Sequence, residues 1–370
     1  MEILEEWLTL YLTPGLGSGG CRHLVDHFGS PAAGLQASPQ DLQKVPGRIS
    51  KKGCAAIGRR ETRLAAKKEL QRAASAGVEI ICRDDDDFPE WLLNIPDPPL
   101  ILYVKGRTAA LNSPGIGIVG SRAASTYGLK MAEDLARQLA RQGLTVISGL
   151  ALGIDAAAHR GALRARGNTV AVLGCGLDVI YPAANRKLFE AIPDHGAIVS
   201  EYPLGTRPDS FRFPARNRII SGLGLGVVVV EAAQRSGSLI TAAHALDQGR
   251  EVFAVPGRAD SIKSTGTHRL LQAGAKLVLN INDITSELIH LGITDNSKKP
   301  AVKSTMPAAA EELNPEEKKI LAQLEVYPKS VDDVIVATNL AAERVSELLL
   351  ILELKGLCEV LPGQQYQIKQ

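Results

Sequence analysis

The chain has 370 residues, 45% of them hydrophobic and 22% charged, which excludes global disorder and leaves apolar material for two or three domains. The formal net charge of +2 is unevenly spread: residues 100–285 hold 21 Lys+Arg against 13 Asp+Glu, residues 1–99 hold 12 against 14, and residues 314–370 hold 6 against 9. A polyanion would feel that central positive field, although a basic surface without a partner is the plainer alternative.

The N-terminus, MEILEEW, is acidic where a signal peptide is basic. Residues 1–75 read as a helical domain with two similar breaks, Thr13-Pro14-Gly15-Leu16-Gly17-Ser18 and Val45-Pro46-Gly47-Arg48-Ile49-Ser50. A Gly turn followed by a helix is the helix-hairpin-helix (SAM-like) pattern, in which backbone N–H groups can approach a phosphate. Many helical hairpins carry such turns without touching DNA, and both readings stay open.

Residues 76–292 change pattern. Apolar runs at Ile116–Val119, Leu144–Ile147, Thr169–Leu173, Ala197–Val199, Val227–Val230 and Glu251–Val255 alternate with amphipathic stretches at Tyr127–Arg141, from Ile154, and at Ser236–Asp247. Six strand-like runs alternating with helices predict an α/β fold, an extended Rossmann-like, doubly wound and mostly parallel sheet. Residues 293–313 lack periodicity and read as a linker. Residues 314–370 predict three helices, at 315–324, 330–338 and 341–355, and a hairpin over Leu357–Ile368 with a Pro362-Gly363 turn, which together make a winged helix. Asn314 is placed to cap the first helix, with Pro315 at its first position and Glu317 in its opening turn. The helix at 341–355 carries Glu343, Arg344, Glu347, Glu353 and Lys355, too acidic for duplex reading, so protein contact or self-association is expected there.

Ligands of an open α/β sheet bind beyond the carboxyl ends of its strands. Those ends read Gly120-Ser121-Arg122, Ser148-Gly149, Gly174-Cys175-Gly176, Ser200-Glu201, Glu231 with Gln234-Arg235-Ser236-Gly237-Ser238, and Pro256-Gly257-Arg258. Gly and Ser let amides and hydroxyls approach an oxyanion, and Arg122 adds a guanidinium fork. Phe211-Arg212-Phe213-Pro214-Ala215-Arg216-Asn217-Arg218 is the densest cationic-aromatic cluster in a chain with 4% aromatics. Cations for phosphates and flat faces for bases suit a single strand; the plainer reading has Phe213 capping the core and Arg216 and Arg218 flanking a solvated helix start. No nucleophile, base and orienting group can be assembled, His159 and His244 read as structural, and GIGIVGSR is only a weak dinucleotide fingerprint. The cysteines Cys21, Cys54, Cys82, Cys175 and Cys358 never occur as CxxC, which points to a reducing compartment and away from zinc. With no apolar run of about 18 residues, a cytoplasmic protein without membrane spans is expected.

GIGIVGSR (115–122), SGLALGIDAAAHRGAL (148–163), VLGCGLDVIYPAANRKL (172–188), SEYPLG (200–205), FPARNRIISGL (213–223), EAAQRSGSLITAAHALDQGREVFAVPG (231–257) and STGTHRLLQAGA (264–275) resemble, in order, the DNA-processing protein A family, DprA or Smf. The resemblance is close over about residues 110–280 and loose in the flanks. It implies a homodimeric, non-enzymatic protein without a cofactor that binds and protects single-stranded DNA in natural transformation and loads RecA recombinase onto it. Its binding residues map onto Gly120, Ser121, Arg122, Ser148, Gly149, Phe213, Arg216, Asn217 and Arg218, with Ser236, Gly237, Ser238 and Thr241 on the same edge. His268 stands where the family usually has Asn. The alternative is a nucleotide-phosphate hydrolase of a related Rossmann-like family; such enzymes place a catalytic Glu after a PGGxGT-type loop, and the comparable stretch Arg235–Thr241 has none.

Overall fold

The computed structural model describes residues 2–47, 49–290, 314–324, 329–338, 340–361 and 365–368. The linker expected over 293–313, Arg48 and the Pro362-Gly363 turn lie outside the described residues. The chain divides into two units, Met1–Ser297 and Lys298–Gln370.

The first unit is built on a nine-stranded sheet: β1 (Glu79–Cys82), β2 (Ile101–Gly106), β3 (Gly115–Val119), β4 (Thr145–Ser148), β5 (Thr169–Leu173), β6 (Gly196–Ser200), β7 (Gly226–Val229), β8 (Glu251–Ala254) and β9 (Lys276–Leu277). Their order is β1-β2-β6-β5-β4-β3-β7-β8-β9, parallel from β6 through β9 and antiparallel at β1-β2-β6. The chain winds outward from β3 through β4, β5 and β6, then returns to lay β7 on the other side of β3. That reversal puts a topological switch point between β3 and β7.

The parallel strands are apolar throughout because both faces are covered. Val227 and Val229 face a core with Ile219, Ile220 and Leu223 of helix Arg212–Leu223 and with Ala242 and Ala245 of helix Gly237–Asp247. Val228 and Val230 face the opposite core, with Leu135 and Leu139 of helix Thr126–Arg141 and Ala157 and Ala158 of helix Ile154–Arg164. Each fully buried Val or Leu contributes about 1.5–3 kcal/mol of transfer free energy.

Residues 1–75, expected as a separate helical domain, share a core with the sheet. Trp7, Leu8, Leu10, Cys21 and Leu24 pack with Ile80, Ile101, Tyr103, Ala171, Leu173 and Ile198. Polar ties reinforce this: Trp7 Nε1 donates to Asp84 at 2.6 Å, Tyr11 Oη to the Glu201 carbonyl at 2.7 Å, and Leu204 N to Glu69 Oε1 at 2.7 Å. Both anticipated Gly turns occur, with Gly15 and Gly47 at φ of +83° and +84°.

The second unit has helices Pro315–Leu321, Val331–Thr338 and Ala342–Leu354 and a three-stranded sheet, β10 (Lys329–Ser330), β11 (Cys358–Leu361) and β12 (Gln365–Ile368), ordered β10-β12-β11. Three helices and a strand pair are the winged-helix arrangement expected from the sequence. Asn314 and Glu317 form a capping box, each side chain accepting the other's backbone N–H at 2.8 Å. No helix among the described residues is long and apolar enough to cross a membrane.

Candidate functional site

A cavity of about 770 Å³ opens at the switch point, lined by the loops after β3 and β7 and by the start of helix Arg212–Leu223. Its size falls within the range of small-ligand sites. The β3 loop is fixed by Glu231, a buried residue just past β7. Ser121 N donates to the Glu231 carbonyl at 2.8 Å, Ser125 N donates to Glu231 Oε2 at 2.8 Å, and the Ser125 hydroxyl donates to Glu231 Oε1. Ser125 Oγ in turn accepts Gly128 N at 3.1 Å, capping helix Thr126–Arg141. Arg122 is held above this turn and stays exposed.

The β4 loop packs beneath it. Leu150 adopts φ of +55°, uncommon for a residue with a Cβ, and the flanking Gly149 and Ala151 amides both donate to Asp155 Oδ2, at 3.1 and 3.4 Å. Gly153 lies at φ of +76° against the Ser121 and Arg122 carbonyls, where a Cβ would collide with backbone.

Arg216 forms the floor. Its Nη1 donates to the Gly149 carbonyl at 2.9 Å and to the Val172 carbonyl, and its Nε to Asn217 Oδ1 at 3.2 Å. Burial pulls its pKa down to about 10, with Asp155 opposing the fall, so it is a cation at neutral pH. Burial raises the Asp155 carboxyl against the pull of Arg216. Asn217 Nδ2 donates to the Gly237 carbonyl at 3.3 Å, joining this floor to the opening of helix Gly237–Asp247. Ser236 caps that helix, and its Oγ lies 2.7 Å from Ser238 Oγ. The capped start of this helix, two hydroxyls and Thr241 thus face the cavity, where the helix dipole favours an anion.

One wall is a stack. The Arg122 guanidinium lies 5.5 Å from the Phe213 ring centroid, and Phe213 stacks on Tyr181 at 5.6 Å and 24°. Gly174 lets Phe213 sit close, since a Cβ there would come within 2.9 Å of the ring. Behind the stack is a recess of about 80 Å³ lined by Gly149, Leu173, Gly174, Cys175 and Pro182.

Of the expected residues, Gly120, Ser121, Arg122, Phe213, Arg216, Asn217, Ser236, Gly237, Ser238 and Thr241 meet in the cavity, and Gly149 lines the recess. Two do not join them. Ser148 is buried in β4, its hydroxyl donating to the Ile118 carbonyl at 2.6 Å. Arg218 points away from the cavity and is committed to Glu201, at 2.9 and 2.7 Å, and to Asp97 at 3.0 Å. Burial alone would lower its pKa; Glu201 overrides this and raises it. Nor do Arg216 and Arg218 flank a solvated helix start, since both are buried. The sequence reading missed Tyr181, and it left Arg235 and Asp155 out of the site. His159 is in the core: Thr169 Oγ1 donates to the Val146 carbonyl at 2.7 Å and therefore accepts from His159 Nδ1 at 2.8 Å. His268 lies outside the cavity lining, with Nε2 3.1 Å from the Gly257 carbonyl. No cluster of potential metal ligands occurs among the described residues.

Comparison with known proteins agrees with this architecture. Residues 79–289 match the family described as DNA recombination-mediator protein A, and residues 304–364 match the DprA winged helix domain. Protein Smf of Synechocystis is 37% identical over 98% of this chain and 98% of its own length. The DNA processing protein DprA of Streptococcus pneumoniae is 48% identical over 60% of this chain and 76% of its own. Among solved structures, S. pneumoniae DprA superposes with a TM-score of 0.67 at 37% identity, covering 75% of this chain and 95% of that one. A Helicobacter pylori DprA structure, described for its single-stranded DNA binding mode, gives 0.53 at 33% identity, covering 58% and 96%. The chain belongs to the DNA recombination-mediator protein A (DprA/Smf) family.

Proposed function

We propose that this family member binds single-stranded DNA without regard to sequence, protects it, and loads RecA recombinase onto it in natural transformation or homologous recombination. The observation that carries the DNA reading is the convergence of three guanidinium groups, the opening of helix Gly237–Asp247 and an aromatic stack on one cavity. Arg122 and Arg235 are exposed at its mouth and Arg216 is fixed at its floor. Phosphates meet the guanidinium groups, the Ser121 and Ser238 hydroxyls and the helix start. A base meets the Phe213–Tyr181 pair. None of these contacts reads a base edge, which accounts for sequence independence. The H. pylori relative's single-stranded DNA binding supports the same assignment. Membership of a recombination-mediator family supports the RecA-loading part of this reading, and in a homodimer two cavities would hold a long strand by avidity.

The hydrolase alternative needs a free carboxylate beside the substrate. Asp155 is the acidic residue among those lining the cavity, and its oxygen already accepts two backbone amides. The DNA-binding reading is therefore preferred to the hydrolase.

A salt titration of strand binding tests the reading. Each phosphate neutralised adds about −0.7 to the log–log slope for single strands, so Arg122→Ala should weaken binding to every sequence and flatten the slope by about that amount. Unchanged affinity in this variant would remove the cavity from consideration. Base release from mononucleotides, abolished by Arg122→Ala, would instead establish the hydrolase.

A further inference from the structure

The cavity gives Phe213 a role but none to its neighbours Phe211 and Arg212, which form a second stack. The Arg212 guanidinium lies over two rings, 4.9 Å from the Phe211 centroid and 5.5 Å from that of Tyr202. Its edge is held by the Asp209 carboxylate and by the Arg207 carbonyl at 2.5 Å, so the plane is fixed and only its faces serve the rings. Phe211 is 68% exposed, which no packing role explains for a ring of that size. Arg207 is exposed as well.

This patch adjoins the cavity through one short loop. Pro208 and Ser210 line the cavity, while Arg207 and Phe211 face outward. A single strand leaving on this side crosses that loop and meets a cation and an open aromatic face, the pair of groups that sequence-tolerant binding requires. Beyond Tyr202 lies a separate groove of about 350 Å³ whose lining includes the Asp97 and Glu201 carboxylates. Both already pair with Arg218, so that groove offers no spare positive charge to further phosphates, and the track ends at Tyr202.

We propose that Phe211, Arg212 and Tyr202 form an outer subsite that stacks a base of single-stranded DNA as it leaves the cavity, with Arg207 on the adjoining phosphate. This rests on the cavity being the single-strand site, and the test separates the two. Fluorescence anisotropy is measured with oligothymidylates from about 4 to about 16 nucleotides, for the full chain and its Arg122→Ala, Phe211→Ala and Phe211→Trp variants. Phe211→Ala should weaken the longest strand about tenfold and the shortest by less than about twofold. Phe211→Trp should retain long-strand affinity, and its added indole emission should be quenched by long strands only. Equal long-strand affinity for the parent and Phe211→Ala overturns the outer subsite. So does an equal loss at every length, which would mean that Phe211 acts through the cavity. Arg122→Ala reports on the cavity alone: full affinity for the shortest strand in that variant would overturn the cavity reading, whatever Phe211 does.

Discussion

In the first unit, Arg216, Asp155 and Ser148 are buried around the carboxyl end of β4, and His159 and Thr169 are buried at the amino end of β5, each tied to backbone or to another of the group. In the C-terminal unit the buried cluster is Ile320, Leu324, Val334, Val345, Leu348, Leu349, Leu352 and Cys358; Arg344 and Glu316 pair at the surface, and the buried Glu317 carboxylate is paired with Lys355 at the edge of the cluster. Buried polar groups cost stability unless fully partnered, so a region that keeps them needs a reason other than stability. For Arg216 and Asp155 the proposed function supplies that reason: a preorganised anion site whose floor is set before any strand arrives.

The sharpest way to break that comparison is to remove the floor. Arg216→Met keeps the length of the side chain and deletes the cation. It strands the Gly149 and Val172 carbonyls and leaves Asp155 without its neighbouring positive charge. Breaking a buried charge cluster in this way costs about 3–5 kcal/mol, read as a lower urea midpoint of the first unit. If the variant keeps parental stability and parental strand affinity, Arg216 is neither the floor nor a phosphate contact.

How legible this was depends on the element. Six strands announced themselves as apolar runs because the parallel sheet is covered on both faces. The other three went unread: β1 and β2 carry the apolar runs Ile80–Cys82 and Ile101–Val104, buried on both faces but outside the strand–helix alternation that marked the six, and β9 has two residues, both exposed. Ten of the expected site residues meet in one cavity because strand-end loops of a doubly wound sheet must converge at its switch point. Arg218 was misplaced for a helical reason. Phe213–Arg218 looked like one linear patch, but residues two apart on a helix point roughly 200° away from each other, so Arg216 and Arg218 cannot share a face. Tyr181 gave no signal, since its stacking on Phe213 joins the loop after β5 to a helix some thirty residues later.

A smaller effect distinguishes the two regions by pH. Burial, with help from Arg216, holds the His159 imidazole neutral in the folded chain, its pKa pushed down to about 3. The unfolded chain titrates near 6.5. Above that value both states are neutral and nothing is lost. Below it the unfolded chain takes up a proton that the folded chain refuses, so stability falls as pH falls, by about 1.4 kcal/mol at pH 5.5. Urea midpoints at pH 7.5 and 5.5 should show this slope in the parent, and His159→Gln should flatten it. An equal slope in both proteins would assign the acid sensitivity elsewhere.

The smallest effect belongs to the C-terminal unit, whose stability rests on local devices. Asn314 accepts Glu317 N and donates its own N–H to the Glu317 carboxylate, which also takes hydrogen bonds from Lys355 Nζ at 2.9 and 3.1 Å. The Lys355 hydrogen bond, followed by that of Asn314 N, holds the Glu317 carboxyl below its ordinary range, so its contribution is present at neutral pH and lost on acidification through that range. Asn314→Ala removes the cap and should cost about 1 kcal/mol. Hydrogen exchange on the full chain should show faster exchange confined to helices Pro315–Leu321 and Ala342–Leu354, with the first unit unchanged and single-strand affinity at the parental value. If affinity falls with it, the acidic winged helix takes part in strand binding, and the division between a polar binding region and an apolar, locally capped one no longer holds.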